Sequence, residues 1–521
     1  MQNSRYLYLT LLTVLGIHAE TAAQTKIKYA PRLVVNITID QLRSDYLEAF
    51  TPVYGTDGFK RLLQQGTVYE NASYPFTKID RSSAITSVVT GVSPYYHSIV
   101  GERWLDKESL RPVKCTEDTS KPGIPSPAKL TVSTIGDELK VSTFGLSKVF
   151  AIAPTEDAAI LSAGHAADGA AWIDDFRGEW TTSVYYTGSN QSWALAFNAL
   201  HAPEKTVAKT IWEPLTKQSG IFNYYQHVGD QKPFRHQFKG ERKFIEYKTS
   251  ALINTHITDA ALHCIGNMSM GMDRITDMLC LTYYAGNFDH KAVTDCQMEL
   301  QDTYFRLDRE LARLIRNIES KVGAEHVIFF ITSTGYSDEQ SADYGKYRIP
   351  SGTFYINRTA NLLNMYFSAI WGQGRYVETC FGNEIFLNHK LLESKRVSLT
   401  DATQRGQEFI SQMSGVSNVY TALQLLSGNN RETAKIRNGF NAERNGDIIV
   451  EVSPGWVLQN EQTQETQHSR ATFIPFPIII YGAGTAAERI KQPVTIDRIA
   501  PTIAKTIRIR APNACSSEPL F

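Results

Sequence analysis

The amino-acid sequence predicts an α/β fold: a doubly wound, mainly parallel sheet with an insertion capping one edge. Two observations point there. Apolar runs of strand length recur at 33–39, 148–153, 278–283, 326–332 and 476–481, separated by helical patterning. The first run also ends in a carboxylate, because Leu33-Val34-Val35-Asn36-Ile37-Thr38-Ile39-Asp40 leads directly into a helix-like segment. A Val- and Ile-rich run suits a strand buried on both faces. Ligands of such sheets collect beyond the carboxyl ends of the strands. Asp40 therefore stands where a metal ligand or catalytic acid would stand.

Along the chain of 521 residues, residues 1–23 read as an export signal. Arg5 supplies the positive start, residues 6–17 the short apolar stretch, and Thr21-Ala22-Ala23 the small residues of a cleavage site. Cleavage there gives an exported, periplasmic or outer-membrane-associated protein with no transmembrane anchor; an uncleaved anchor is the alternative. The core then runs over 24–346. Its clearest helix is expected over 294–320, where Tyr304, Leu307, Leu311, Leu314 and Ile318 form one apolar stripe. At 347–445 the pattern changes to polar helices and loops, read as the capping insertion. Strand signals resume at 447–452, so 446–521 is read as the last part of the core. The six cysteines are dispersed without C-x-x-C spacing, which excludes a zinc ribbon or a thioredoxin motif. Cys280, within an apolar run, reads as a buried thiol. Lys plus Arg and Asp plus Glu are equal at 53 each, so no overall field attracts nucleic acid. The aromatic residues Tyr95, Tyr96, Trp104, Trp172, Trp180 and Trp193 serve either partner contacts or the core.

Motifs in family order make the reading more specific. They are Asn36-Ile37-Thr38-Ile39-Asp40, Gly58-Phe59-Lys60-Arg61-Leu62, Thr90-Gly91-Val92-Ser93-Pro94-Tyr95-Tyr96-His97, Ser162-Ala163-Gly164-His165, Asp302-Thr303-Tyr304-Phe305-Arg306-Leu307-Asp308, Ala500-Pro501-Thr502 and Ala511-Pro512-Asn513-Ala514. With them the chain resembles the alkaline phosphatase superfamily in its type I phosphodiesterase/nucleotide pyrophosphatase branch. It is most similar there to exported, phosphate-irrepressible bacterial alkaline phosphatases. The resemblance implies phosphate-ester hydrolysis by two zinc ions and a threonine or serine nucleophile.

Carried over residue by residue, the resemblance retains Asp40 and His468 as metal ligands, one for each site. Arg81 falls at the nucleophile position, and a one-residue slip makes Ser82, or more weakly Ser83, the nucleophile. Asn287 and Lys291 stand at an aspartate and a histidine position, with Asp289 and His290 nearby but out of register. Thr334 and Gly335 stand where an adjacent Asp-His pair belongs. The phosphate-gripping Lys-x-Arg falls on Thr155-Glu156-Asp157, which reverses its charge. One ligand per metal is too few for zinc, whose catalytic sites need three protein ligands.

Removing two cations from a crevice that keeps its carboxylates leaves costly buried charge. An ion pair from Asp40 to Arg81 or Lys291 is expected to compensate. Asp80-Arg81-Ser82-Ser83 has N-cap composition, which gives the serines a structural role instead. The leading expectation is a catalytically degenerate family member, a pseudophosphatase that binds or scaffolds in the cell envelope. It needs no cofactor, and its partner is another envelope protein or a small or glycan ligand. The alternative is a zinc-dependent phosphomonoesterase or phosphodiesterase with a rearranged site. A ligand in the old phosphate crevice would instead require a closed, aromatic-walled pocket.

Overall fold

Leu33–Asp40, whose eight residues are all buried, lies at the middle of a large twisted sheet. The computed structural model describes residues 30–186, 192–215, 234–338, 348–428, 430–468 and 474–521. The expected export signal falls outside them. Leu33–Asp40 pairs in parallel with Asp277–Tyr284 on one side and Val327–Ser333 on the other. Beyond Asp277–Tyr284 come Val149–Ile152 and Gly169–Ile173, both parallel. Beyond Val327–Ser333 come Phe476–Gly482 and Thr67–Ser73, both antiparallel joins. The five strands expected from apolar runs are thus all present, in a mainly parallel α/β sheet.

Alternation along the central strand divides its side chains between two cores. Leu33, Val35, Ile37 and Ile39 face the helix Gln297–Val322 and the aromatic residues around it. Val34 faces the opposite core, which holds Ala84, Ile85 and Val88 of the helix Arg81–Thr90. Asn36, Thr38 and Asp40 share the parity of Val34, so Asp40 is directed toward the start of that helix. The long helix begins at Gln297, three residues later than expected, because a separate turn at Val293–Asp295 and the non-helical residue Cys296 precede it. Its stripe is buried as predicted, and Asp308 adds a clasp by accepting the N–H groups of Gly55 (2.8 Å) and Phe59 (2.7 Å). A Cβ at Gly58 would lie 2.2 Å from the Asp308 carboxylate, so this clasp requires glycine there.

The capping insertion differs from the sequence reading. Rather than polar helices and loops, it holds a four-stranded antiparallel sheet with the helices Ile356–Trp371 and Leu399–Ile410 packed around one core. Ile448–Val452, expected to restart the main core, is a strand of this cap sheet between Glu384–Leu387 and Val416–Thr421. A further small sheet joins Gly352–Tyr355, Trp456–Gln459 and Thr466–His468. The cap therefore continues past 445, and the main sheet resumes only at Phe476. Its strands have four to six residues, and all but Glu384–Leu387 are partly exposed, which weakens any sequence pattern.

Trp104, Trp172, Trp180 and Trp193 are buried, and of the aromatic set only Tyr96 is largely exposed. All six cysteines are free thiols, with Cys280 buried. Among the described residues no helix is long and apolar enough to cross a membrane.

His97, fully buried, is part of the Thr90–His97 motif. Its Nδ1 accepts the Ile99 N–H (3.1 Å), so the neutral ring carries its proton on Nε2 and donates to Ser87 Oγ (2.9 Å). Burial holds this imidazole down at about 3. Between the ordinary value near 6.5 and 3, only the unfolded chain takes up the proton, so stability is lost as pH falls through that window. Urea unfolding from pH 7 to pH 4 is expected to show a slope that His97→Gln lowers by about 1 kcal/mol per pH unit.

Candidate functional site

Three adjacent strands deliver their carboxyl ends to one crevice, and the helix Arg81–Thr90 starts above it. Asp80 caps that helix. Its carboxylate accepts the Ser83 N–H (2.8 Å), and the Ser83 hydroxyl accepts the Asp80 N–H (3.0 Å). Ser83 is thus engaged in capping, as its sequence context suggested. The cap fixes the first helical residue, Arg81, over the end of the central strand.

The Arg81 guanidinium is the hub of the crevice. It holds Asp157 in a two-point pair, from Nε at 3.0 Å and from Nη2 at 3.1 Å. Nη1 lies 3.8 Å from Asp40, and Nη2 lies 3.7 Å from Glu102. Three carboxylates thus converge on one planar cation, the geometry arginine suits best. The expected counter-ion of Asp40 is therefore Arg81. Lys291 is not: its ammonium packs over the Phe288 ring, 5.0 Å from the centroid.

Asp40 is further tied by the Thr334 hydroxyl, which donates to its Oδ1 (2.8 Å) while accepting the Gln41 N–H (2.8 Å). Burial nonetheless raises the Asp40 carboxyl above its usual range, with Arg81, Thr334 and Tyr336 opposing. For Asp157 the balance goes the other way. Burial would raise it, but Arg81 outweighs burial and holds it at about 2. Glu102 is raised by the nearby Asp157 charge and then by burial.

Each sequence-predicted residue can now be placed. Ser82 is fully buried and its hydroxyl donates to Asp157 (2.8 Å). A carboxylate held at about 2 is a poor proton acceptor, so this pair does not activate a nucleophile. Thr155 precedes the helix Glu156–Ala163, which carries Asp157 in its first turn. Glu156 faces away, accepting from the Thr116 hydroxyl (2.6 Å). Asn287 donates to the Lys291 carbonyl (2.9 Å). His468 ends its strand, and its side chain lies outside the described residues.

Two participants were missed by the sequence reading: Tyr336 and Asp338. Asp338 accepts from Gln41 Nε2 (2.7 Å) and pairs with His290 Nδ1 (2.5 Å). This contact raises the His290 imidazole above its ordinary value. The neighbouring Asp289 pairs with Arg242 (3.4 Å). Asp338 follows Thr334 by four residues, so its proximity to the strand end was the available signal.

Among the described residues, the donors around this crevice do not fit a pair of zinc ions. Asn287, Lys291 and Thr334 are used in the contacts above. At Gly335, with φ at +70°, a Cβ would lie 2.6 Å from the Tyr74 ring, leaving no room for an imidazole. Among the described residues no group of three or more His, Cys, Asp or Glu is arranged to hold a metal.

Unequal pairing of the two carboxylates with Arg81 gives unequal expected costs. Asp157→Asn breaks a buried two-point pair and is expected to cost about 3 kcal/mol. Asp40→Asn leaves that pair intact and is expected to cost less than about 1 kcal/mol. Equilibrium urea unfolding of the two variants checks the order, and equal losses would contradict it.

Comparison with known proteins agrees with the architecture. The family model for type I phosphodiesterase / nucleotide pyrophosphatase matches residues 34–472. Alkaline phosphatase PafA of Elizabethkingia meningoseptica is 28% identical, with 98% of each chain covered. Alkaline phosphatase PhoV of Synechococcus elongatus is 27% identical, covering 93% of this chain and 91% of that one. The crystal structure of wild-type PafA superimposes with a TM-score of 0.79 at 26% identity, over 94% of this chain and 98% of that one. A motif order that spans the chain, a sheet that ends in Asp40 and a family match over most of the sequence converge: the chain belongs to the type I phosphodiesterase/nucleotide pyrophosphatase family of the alkaline phosphatase superfamily.

Proposed function

We propose that this chain is a catalytically degenerate member of its hydrolase family, a pseudophosphatase that acts outside the cytoplasm as a binding or scaffolding component of the cell envelope. The observation that carries the reading is the Arg81 guanidinium, which occupies the crevice among Asp40, Asp157 and Glu102. A permanent cation there compensates the carboxylates that metal ions would otherwise neutralise, and it repels a divalent cation. Asp157 fills the Arg81 fork in the way a phosphate group would, so a phosphate ester has to displace an intramolecular carboxylate to bind. The crevice is occupied by a network of ion pairs around Arg81, which favours a partner on the outer surface over a ligand in the crevice. An envelope protein is the partner class that fits an exported chain.

A second reading keeps hydrolysis with a rearranged site, using zinc, Asp40, Asp289, His290 and His468 with a serine. It is favoured by the relatives above, which are alkaline phosphatases matched over nearly their whole length. Elemental analysis of the purified protein, with phosphomonoester and phosphodiester assays in added zinc, separates the two. The pseudophosphatase reading expects under about 0.1 zinc per chain and no turnover above a blank, against the full occupancy and three-ligand sites that zinc catalysis requires. Two zinc ions per chain, with turnover abolished by Asp40→Ala, would establish the second reading instead.

A further inference from the structure

The cap meets the main core at a tryptophan that carries two cations. Trp104 lies in the short strand Arg103–Leu105, two residues beyond Glu102, and is buried. The Arg444 guanidinium sits over its ring, 4.5 Å from the centroid. The Lys129 ammonium lies 5.7 Å from the same centroid. Lys129 comes from a loop of the core and Arg444 from a loop of the cap. Arg444 Nη2 donates to the Lys129 carbonyl (3.2 Å), which fixes one residue beside the other.

Hydrogen bonds between cap and core hold this junction. Asn441 donates to Ser98 Oγ (3.1 Å), Lys107 to the Ala442 carbonyl (2.8 Å) and Asn438 to the Pro75 carbonyl (2.9 Å). On the core side, the Thr131 hydroxyl donates to the Tyr96 carbonyl (2.8 Å). Both cation-bearing loops are therefore fixed before any ligand arrives.

The two positive charges lack a counter-ion. Both side chains are half-buried, and burial lowers the pKa of each. After burial, repulsion by Arg444 is the largest influence on Lys129. Among the described residues neither cation forms an ion pair. The acids around them are engaged elsewhere or exposed. Asp106 accepts the Ser109 N–H (2.8 Å) and hydroxyl (2.7 Å), Glu117 pairs with Arg111, and Glu443 is exposed. Contact with one aromatic ring offsets part of the cost of burying two like charges, but leaves their repulsion uncancelled.

We propose that Lys129 and Arg444 form a binding site for a tetrahedral oxyanion, a phosphate or sulfate group, at the junction of cap and core. Arginine offers a planar fork and lysine a compact point charge, which together suit an anion with several acceptor oxygens. The fixed loops keep the ordering cost of binding small. Such a group arrives either as the free inorganic ion or attached to a sugar. The site lies outside the Arg81 network, so the assignment holds whether or not the crevice hydrolyses esters.

Equilibrium dialysis of the full-length protein with radiolabelled sulfate, at low ionic strength and neutral pH, tests the site. Protein passed over a chelating resin is used, with inorganic phosphate and glucose 6-phosphate as competitors. The wild type is expected to bind about one sulfate per chain with a Kd of about 1 mM or tighter, weakening as salt is raised. Lys129→Gln and Arg444→Gln are each expected to weaken binding at least about tenfold. Arg444→Lys, which keeps the charge and loses the fork, is expected to fall between wild type and Arg444→Gln. The Lys129 ammonium bonds no protein group, so Lys129→Gln is expected to keep the wild-type melting temperature. Glucose 6-phosphate competing at least about tenfold better than inorganic phosphate supports a sugar-borne group, and equal competition supports the free ion. Absence of saturable binding by the wild type up to about 10 mM sulfate would overturn the proposal. Undiminished binding by both Gln variants would also overturn it, leaving the pair a purely structural role and assigning the affinity to Arg81.

Discussion

A carboxylate delivered by the innermost strand of a sheet has to be compensated, and that constraint governs the crevice. Asp40 cannot be moved to solvent, because Leu33–Asp40 is flanked on both sides by parallel strands and buried throughout. The effective penalty for stranding such a charge is several kcal/mol. In this chain the compensation comes from Arg81, which the Asp80 cap places at the first turn of its helix. Cap, guanidinium and carboxylates form one mechanical unit. Asp80 also accepts the Glu102 N–H (2.6 Å), so the same residue fixes the helix start and the loop that brings the third carboxylate.

The fold was largely legible because its core strands are buried on both faces, and continuous Val, Ile and Phe runs mark such strands. Asp40, Arg81 and the clasp segments around Gly58 and Asp308 could be found for a related reason, since local patterns and motif order fix their places. The pairing inside the crevice was legible only in part. Arg81 and Asp157 are 76 residues apart. Their contact depends on the start of one helix meeting the first turn of another, which no local pattern encodes. Lys291 was an equal candidate by sequence, but left-handed backbone at Asp289 and His290 turns the loop so that its ammonium finds the Phe288 ring. The cap sheet was missed because its strands are short and half exposed, so period-two alternation is faint.

A buried ion-pair network is weak evidence for stability in itself, since well-packed apolar residues of similar volume often do as well or better. What the network does provide is geometry. A planar guanidinium with a two-point partner admits few arrangements, and the hydroxyls of Ser82 and Thr334 add fixed donors on either side. The ends of the three central strands are thereby tied together through the side chains of one crevice. An arginine among these carboxylates supplies the positive charge that holds this end of the sheet together.

The two ends of the sheet have consequently opposite characters. At the carboxyl end, charged groups are turned inward and satisfied by one another. At the amino end, Asp277 uses its carboxylate to hold two turns, and those turns direct Phe144, Leu146 and Met272 outward. Apolar side chains held in solvent by such turns gain nothing for folding, since burial is what makes them stabilising.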